Sequence, residues 1–387
     1  MKKAMCLGAV CTLAILWGQT FAAVMDPFDT FSVYSLGDLG TSSSLFQASF
    51  TGPVGVAQSA YMQSSYISAP SGGTGSLHVG GDLNVRYSQQ FSGNVEAGGN
   101  IQLNGVTIAG NVSAGGNVGD YDWNGATVRG TAQAAGAINF SSRVSVQSAH
   151  SGIPYSPEID LAAASAYYLA TSRSIGAKTP TGSVVNQYGN LTFTAVKGIN
   201  VIDIDQQTLH DAWAFTITGP ADATVLINVL NAAVDLDNTT WVYQGGIAES
   251  SVVLNMPLAT SLTLSQGNAV NILAPLATTQ FQQGTVNGQL VVGNLYGGGV
   301  VTGGSFNDHA LPEPATLSLL ALGTLAIMRR RRKQPDSDPN AARLGQRRCG
   351  ALQASSTMSA RMVSARNRAA GRMRRWVGVT SSISRPW

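Results

Sequence analysis

Three pairs of aspartates are spaced so that both carboxylates would leave a β-strand on the same side: Asp120 with Asp122, Asp203 with Asp205, and Asp235 with Asp237. Alternate residues of a strand share a face, so each pair has the geometry to serve as acid and base at a glycosidic bond, or to hold Ca²⁺. The competing role for such pairs, lying beside glycine, asparagine and apolar strands, is the solvated end of a turn. His78, His150, His210 and His309 are scattered without metal-ligand spacing, and the chain carries neither a nucleophile-elbow motif nor a phosphate-binding glycine loop. No residue is therefore assigned as catalytic, cofactor-binding or metal-binding, and no cofactor is expected. A polysaccharide lyase or hydrolase built on paired aspartates is the alternative to a non-enzymatic reading.

The segments that would carry these aspartates are organised by repetition. Between Leu77 and Phe140 the chain reads "LHVGGDLNV", "NVEAGGNIQL", "NVSAGGNV" and "TAQAAGAINF"; with Asp82, Asn100, Asn117 and Ala137 as equivalents, the spacings are 18, 17 and 20 residues. A unit of that length is too short for a helical pair and too short to fold alone, so it must stack on copies of itself. Alternating apolar residues in "VTIAGNVSA" suit half-buried strands, while Gly-Gly, Asn104-Gly105 and Asn124-Gly125 suit corners needing positive φ. The expected fold is mainly β: a parallel β-helix or β-solenoid with strand, corner, strand rungs of about 17–20 residues. Asn100 and Asn117 are expected to stack in register, where their amides would form a ladder.

One long helix is expected alongside. In "SPEIDLAAASAYYLATSRSIGA", Ser156 suits an N-cap, Pro157 the first helical position, and Gly176 the C-terminus. Its apolar side would be Ile159, Ala162, Ala163, Ala166, Leu169 and Ala170. From Val184 to about Gly304 short alternating strands return, and "NILAP" to "GQLVV" is again about 18 residues. Exposed aromatics such as Tyr121, Trp123, Trp213, Trp241 and Tyr243 suit either sugar stacking or core and loop packing.

The two ends address the protein to a compartment. Lys2 and Lys3, an apolar run from Ala4 to Trp17 and the small residues of "QTFAA" read as a signal peptide over residues 1–23. Once it is removed, Cys349 is the sole cysteine, so the body, residues 24–310, is held without a disulfide. Eight Lys/Arg stand against eighteen Asp/Glu through Met328, and fifteen against two from Arg329 onward: −10 and +13, which sum to the formal +3. An acidic body argues against nucleic acid as a partner.

Residues 311–333, "LPEPATLSLLALGTLAIMRRRRK", join a rigid Pro-Glu-Pro step to an apolar stretch and a cationic block. Ala315 to Met328 would form a single C-terminal transmembrane helix of about 21 Å, short against a hydrocarbon core of about 30 Å. Carrying the five cations Arg329 to Lys333 outward against 100 mV would cost roughly 11 kcal/mol, so the basic end stays in the cytoplasm. Residues 334–387 are basic, with three readings open: disorder, placed first; a lipid-facing amphipathic helix; or a shifted reading frame without function.

Together "FSVYSLGDL", "LHVGGDL", the "AGGN" repeats, "IDLAAA", "INVIDID", "TVLINV" and "NILAPLATTQFQQGTVNGQLVVGNL" resemble the choice-of-anchor A domain of bacterial surface proteins, from about Phe28 to Asn307. The late "ILAP…NGQLVV" also looks like a motif of ice-binding-like solenoids. Residues 311–333 are similar to the PEP-CTERM sorting signal of Gram-negative bacteria that make exopolysaccharide. That resemblance implies recognition of Pro312, Glu313 and Pro314, a stop at Arg329, Arg330, Arg331 and Arg332, and processing by an exosortase-like enzyme. The function so implied is that of an exported structural or adhesive protein, first tethered in the inner membrane and then held at the cell surface or in the matrix. Its further partners would be the membrane, exopolysaccharide and neighbouring copies. Sorting signals of this type end near the basic block, whereas this chain continues.

Overall fold

The computed structural model describes residues 27–68, 76–87, 89–121, 124–237, 239–304 and 306. The signal peptide, the sorting segment with Pro312 to Pro314 and Arg329 to Arg332, and the basic tail lie outside the described residues, as do Asp122 and Trp123.

Alternation does build rungs, but each has three strands rather than two. In one rung Val95–Ala97, Ile101–Leu103 and Val106–Ile108 turn their first and third residues inward and bury all six. Parallel pairing with the next rungs then covers both edges: Leu77, Val95 and Val112 align on the first face, Leu83, Ile101 and Val118 on the second, and Phe91, Ile108 and Val128 on the third. The three-strand rung closes within 17–18 residues because each strand is only three residues long, leaving room for three short corners.

Glycine acts in two ways at these corners. Gly105 and Gly125 take φ of 65° and 64°, as expected of Asn-Gly. The Gly-Gly pairs do not adopt positive φ, which corrects the expectation, and serve close approach instead. A Cβ on Gly98 would lie 2.2 Å from the carbonyl oxygen of Gly80, and one on Gly115 2.1 Å from that of Gly98.

The expected asparagine ladder is present and longer than foreseen. The side-chain oxygens of Asn294, Asp38, Ser59, Asp82, Asn100 and Asn117 accept, respectively, the backbone N–H of Asp38, Ser59, Asp82, Asn100, Asn117 and Ala137, at 2.9, 3.0, 3.2, 2.6, 2.9 and 2.8 Å. Asn100 and Asn117 also donate their amides down the ladder, to Asp82 Oδ1 and Asn100 Oδ1.

The ladder starts at Asn294 because the body is not stacked in simple chain order. Val33–Ser35 lies between Val54–Val56 on one side and Leu290–Val292 on the other, all parallel. The first and last strands of the body therefore meet in mid-solenoid, and rungs grow away from that seam in both directions. Rung length varies along the stack: equivalents lie 17–20 residues apart around Asn100 and 18 from Asn255 to Leu273, but 25 from Asp203 to Asn228 and 27 from Asn228 to Asn255. The longer rungs carry seven-residue strands, Gly198–Ile204 and Ala223–Val229, around a bulkier core that includes Phe193, Phe215 and Trp241.

Helix α1 spans Pro27–Thr30 and α2 spans Leu161–Gly176. The N-cap of α2 is Asp160, whose Oδ1 accepts the Ala163 N–H at 3.0 Å, rather than Ser156. The N–H of Glu158 is instead taken by Glu96 Oε2 at 3.1 Å, which holds that stretch outside the helix. The buried stripe also differs from the alanine-rich one expected. It comprises Ala164, Tyr168, Thr171, Ser172 and Ile175, which face a row of outward apolar residues on the first face: Val201, Leu226, Val253, Leu273 and Val291. A third, short helix, α3, spans Gln206–His210.

Candidate functional site

Of the three aspartate pairs, Asp235 and Asp237 bring their carboxylates together, Asp203 and Asp205 are given separate local tasks, and Asp122 lies outside the described residues. Asp120 accepts the N–H and hydroxyl of Ser141 at 2.7 and 2.6 Å, which pins a turn. Asp203 Oδ1 accepts the Asn228 amide at 3.0 Å. Asp205 caps α3, accepting the Thr208 N–H at 2.9 Å and its hydroxyl at 2.6 Å, and these bonds hold its carboxyl below the usual range. Each of these three carboxylates thus has a local structural task.

Two histidines do meet acids, which the chain spacing hid because the partners come from different rungs. His78 and Glu96 are equivalents 18 residues apart on the first face, with Nδ1 and Oε1 at 2.7 Å, and both are buried. Phe31 packs its ring edge-on to His78, and Glu158 approaches from the segment before α2. Burial and the nearby charge of Glu96 push Tyr155 up to about 12. With both oxygens of Glu96 hydrogen-bonded, this cluster acts as a latch that fixes the entry to α2. The rung period of 18 was the signal that would have paired His78 with Glu96.

The second meeting is at His210, the last residue of α3, with Asp235 on strand Ala233–Leu236 and Asp237 just beyond it. One ligand-capable atom from each lies within 4.8 Å of the other two. Asp235 is raised above the ordinary carboxylate range, first by burial and then by the charge of Asp237, with His210 opposing. Spacing in the chain did not show that stacking gathers His210 with Asp235 and Asp237, or His78 with Glu96 and Glu158.

Much of the remaining surface is polar and repetitive. On the third face Val300, Ser49, Tyr66, Gln90, Thr107, Thr127 and Ser145 are consecutive register partners that point outward. At a strand spacing of about 4.8 Å this row is roughly 29 Å long. Where the row crosses the seam, a cleft of ≈ 850 Å³ opens, lined by Ser42 to Ser44, Gln63, Arg86 and Gln283 among others. On the second face Tyr61, Asn84 and Gln102 align; Asn84 donates to the Tyr121 hydroxyl at 3.1 Å, and Arg86 lies 5.5 Å from the Tyr121 ring centre. Of the aromatics singled out for sugar stacking, Trp241 is buried against Phe215 and Tyr243 bonds to the Ala269 carbonyl. Trp213 is exposed, with its Nε1 donating to the Tyr188 carbonyl at 3.1 Å.

In-register parallel rungs, a buttressing helix and long polar faces define a β-solenoid. The chain belongs to the family described as "Putative Ice-binding-like adhesive domain", which matches residues 24–303. Residues 310–333 match the PEP-CTERM protein-sorting motif, which implies export and association with the cell surface or its exterior. A similar solved structure is the ice binding protein from an Antarctic bacterium Flavobacteriaceae, 10% identical at a TM-score of 0.27, over 71% of this chain and 96% of that one. No curated protein matches the chain. Among the described residues, no helix is long and apolar enough to cross a membrane.

Proposed function

We propose that this chain is an exported adhesive protein of the choice-of-anchor A type, delivered by an exosortase-like system and binding hydroxyl-rich polymer through the third face of its solenoid. The observation that carries the binding role is the in-register row from Val300 to Ser145. Hydroxyls and amides repeated at strand spacing offer many weak contacts to a chain of sugar hydroxyls, and Tyr66, 45% exposed, offers a ring for stacking. Its family's description as adhesive supports the same reading.

In this reading residues 1–23 are the signal peptide, 24–310 the adhesive body, 311–333 the sorting signal with its membrane helix, and 334–387 a basic tail. Pro312, Glu313 and Pro314 form the recognition step and Arg329 to Arg332 the cytoplasmic stop. The seam supports a tethered display. Phe28 and Phe306 pack edge-to-face at 5.5 Å beside α2, so the polypeptide enters and leaves the body near mid-solenoid on its helix-covered side.

Two experiments test the two halves of the reading. Retention of the protein on immobilised alginate, cellulose or hyaluronan, and on ice crystals, is measured for wild type and for Thr107→Glu with Thr127→Glu; equal retention of the variant on every surface removes the third face from the proposal. Fractionation of cells carrying Pro312→Ala with Glu313→Ala is expected to show protein held in the inner membrane, and normal delivery of the variant removes the sorting assignment.

A further inference from the structure

The grouping at His210 has a feature that an ordinary surface ion pair lacks. His210 Nδ1, Asp235 Oδ1 and Asp237 Oδ1 are each buried from solvent although their side chains are partly exposed, and none has a hydrogen-bond partner. His210 Nδ1 and Asp237 Oδ1 are 3.1 Å apart without the alignment of a hydrogen bond. Beside them Gln206 donates its amide to the Asp235 carbonyl at 3.1 Å, while its Oε1 is also buried and unpartnered. Convergent lone pairs, shielded from water and unused by protein donors, cost free energy unless something satisfies them.

We propose that His210, Asp235 and Asp237 bind a divalent transition-metal ion that clamps α3 over the open edge of strand Ala233–Leu236. The donor chemistry selects the class of ion: one imidazole nitrogen with two carboxylate oxygens suits Zn²⁺ and its first-row neighbours, whereas Ca²⁺ takes six to eight oxygens. The spacing fits as well, since ligands about 2.1 Å from a tetrahedral ion lie roughly 3.4 Å from one another. Two carboxylates and an imidazole form an open set, leaving further positions to water or to an oxygen from outside the protein.

The fold explains why a clamp belongs there. Ala233–Leu236 pairs with Ser261–Leu264 on one side, and among the described residues no strand pairs with its other edge. That edge is covered by α3, through Gln206 to Asn231 and Asp235 and through the Thr239 hydroxyl to the Leu209 carbonyl. A five-residue helix has little stability of its own, and an exposed edge invites pairing with other chains. Metal bonds from His210 to the aspartates would tie helix and strand directly.

The test uses the purified full chain carrying Cys349→Ser, stripped with chelator and titrated calorimetrically with Zn²⁺ and with Ca²⁺. One saturable Zn²⁺ equivalent is expected, with a raised unfolding temperature and much weaker Ca²⁺ binding. His210→Gln and the near-isosteric Asp237→Asn should each weaken Zn²⁺ binding roughly 10-fold or more, whereas His78→Ala should leave it unchanged. Co²⁺ loaded in place of Zn²⁺ should give a visible ligand-field spectrum that His210→Gln alters, a readout independent of stability. Absence of a saturable equivalent, preference for Ca²⁺, or binding lost in His78→Ala but kept in folded Asp237→Asn would each overturn the assignment.

Discussion

Replacing Asn255 with leucine should loosen the attachment of α2 to the solenoid more than any exposed asparagine of the corner ladder does. Asn255 is completely buried, register partner to Asn228, which is in turn partner to Asp203. Its amide donates to the Ser172 carbonyl at 3.0 Å and to Asn228 Oδ1 at 2.9 Å, and its Oδ1 accepts the Ser172 hydroxyl at 2.7 Å. Leucine matches the volume and strands all three partners. A buried polar group left without a partner costs about 1–3 kcal/mol, and the neighbours relax in part, so a net loss of about 3–4 kcal/mol is expected. At about 2–4 °C per kcal/mol, that is a fall of roughly 6–16 °C in Tm. Thermal unfolding of the full chain by circular dichroism, with Asn100→Ala as the exposed control expected within about 2 °C of wild type, measures it. If Asn255→Leu melts within 2 °C of wild type, the buried amide chain does not hold the helix and this account of α2 is refuted.

Gly98→Ala should destabilise by about 3 kcal/mol, the upper end for overpacking, because its Cβ would meet a backbone carbonyl rather than a movable side chain; a denaturant midpoint equal to wild type contradicts the close-approach role. Tyr34 is pushed up to about 12 by burial, and its hydroxyl donates to the Leu161 carbonyl with Ser165 Oγ at 2.8 Å. An unfolded tyrosine ionises near 10, so the folded state holds its proton longer and stability should fall as pH rises from about 10 to about 12; Tyr34→Phe should flatten that fall while costing about 1–2 kcal/mol at pH 7. For Asp205 the sign is opposite. Its folded pKa is depressed, so its contribution is present above the unfolded value of about 3.9 and is lost as pH falls below that through the folded one. Asp205→Ala should therefore melt below wild type at pH 7, by about 0.5–1 kcal/mol for a solvent-exposed cap, and the gap should close in acid.

What was legible in the chain was what repeats locally. Asp82, Asn100 and Asn117 announce a rung because each corner reuses the same glycine and amide chemistry, and the ladder follows directly. Three features were not legible because they depend on partners brought together by stacking. The seam joins Val33 to Leu290, which nothing local specifies. The helix buries Tyr168 and Ser172 rather than Ala162, Ala163, Ala166 and Ala170 because Tyr34 and Asn255 wait on the sheet, and a periodicity argument weighs only apolar residues. His210 and Asp235 lie apart by one long rung, whose length differs from the 18 residues that the earlier repeats suggest. In a solenoid the spacing that matters is the rung, and once the rung varies, residues that meet in space lose any fixed distance in sequence.

The seam also constrains how the body forms. Until Leu290–Val292 is in place, Val33–Ser35 is an open edge, and the rungs built on it have no neighbour on that side. The strand that closes it immediately precedes the sorting segment, so the first half of the body cannot complete its stack until nearly the whole body has been made and exported. Long-range parallel pairing of this kind is slow, because loop closure must be met before contacts reward it. The exposed ladder oxygens and close-packed glycines favour strands in one register only, since a slip of one residue would drive a Cβ into a carbonyl at every Gly-Gly corner. The corner chemistry read first as a fold signal is thus also the means by which two sequence-distant halves find a single alignment at the seam.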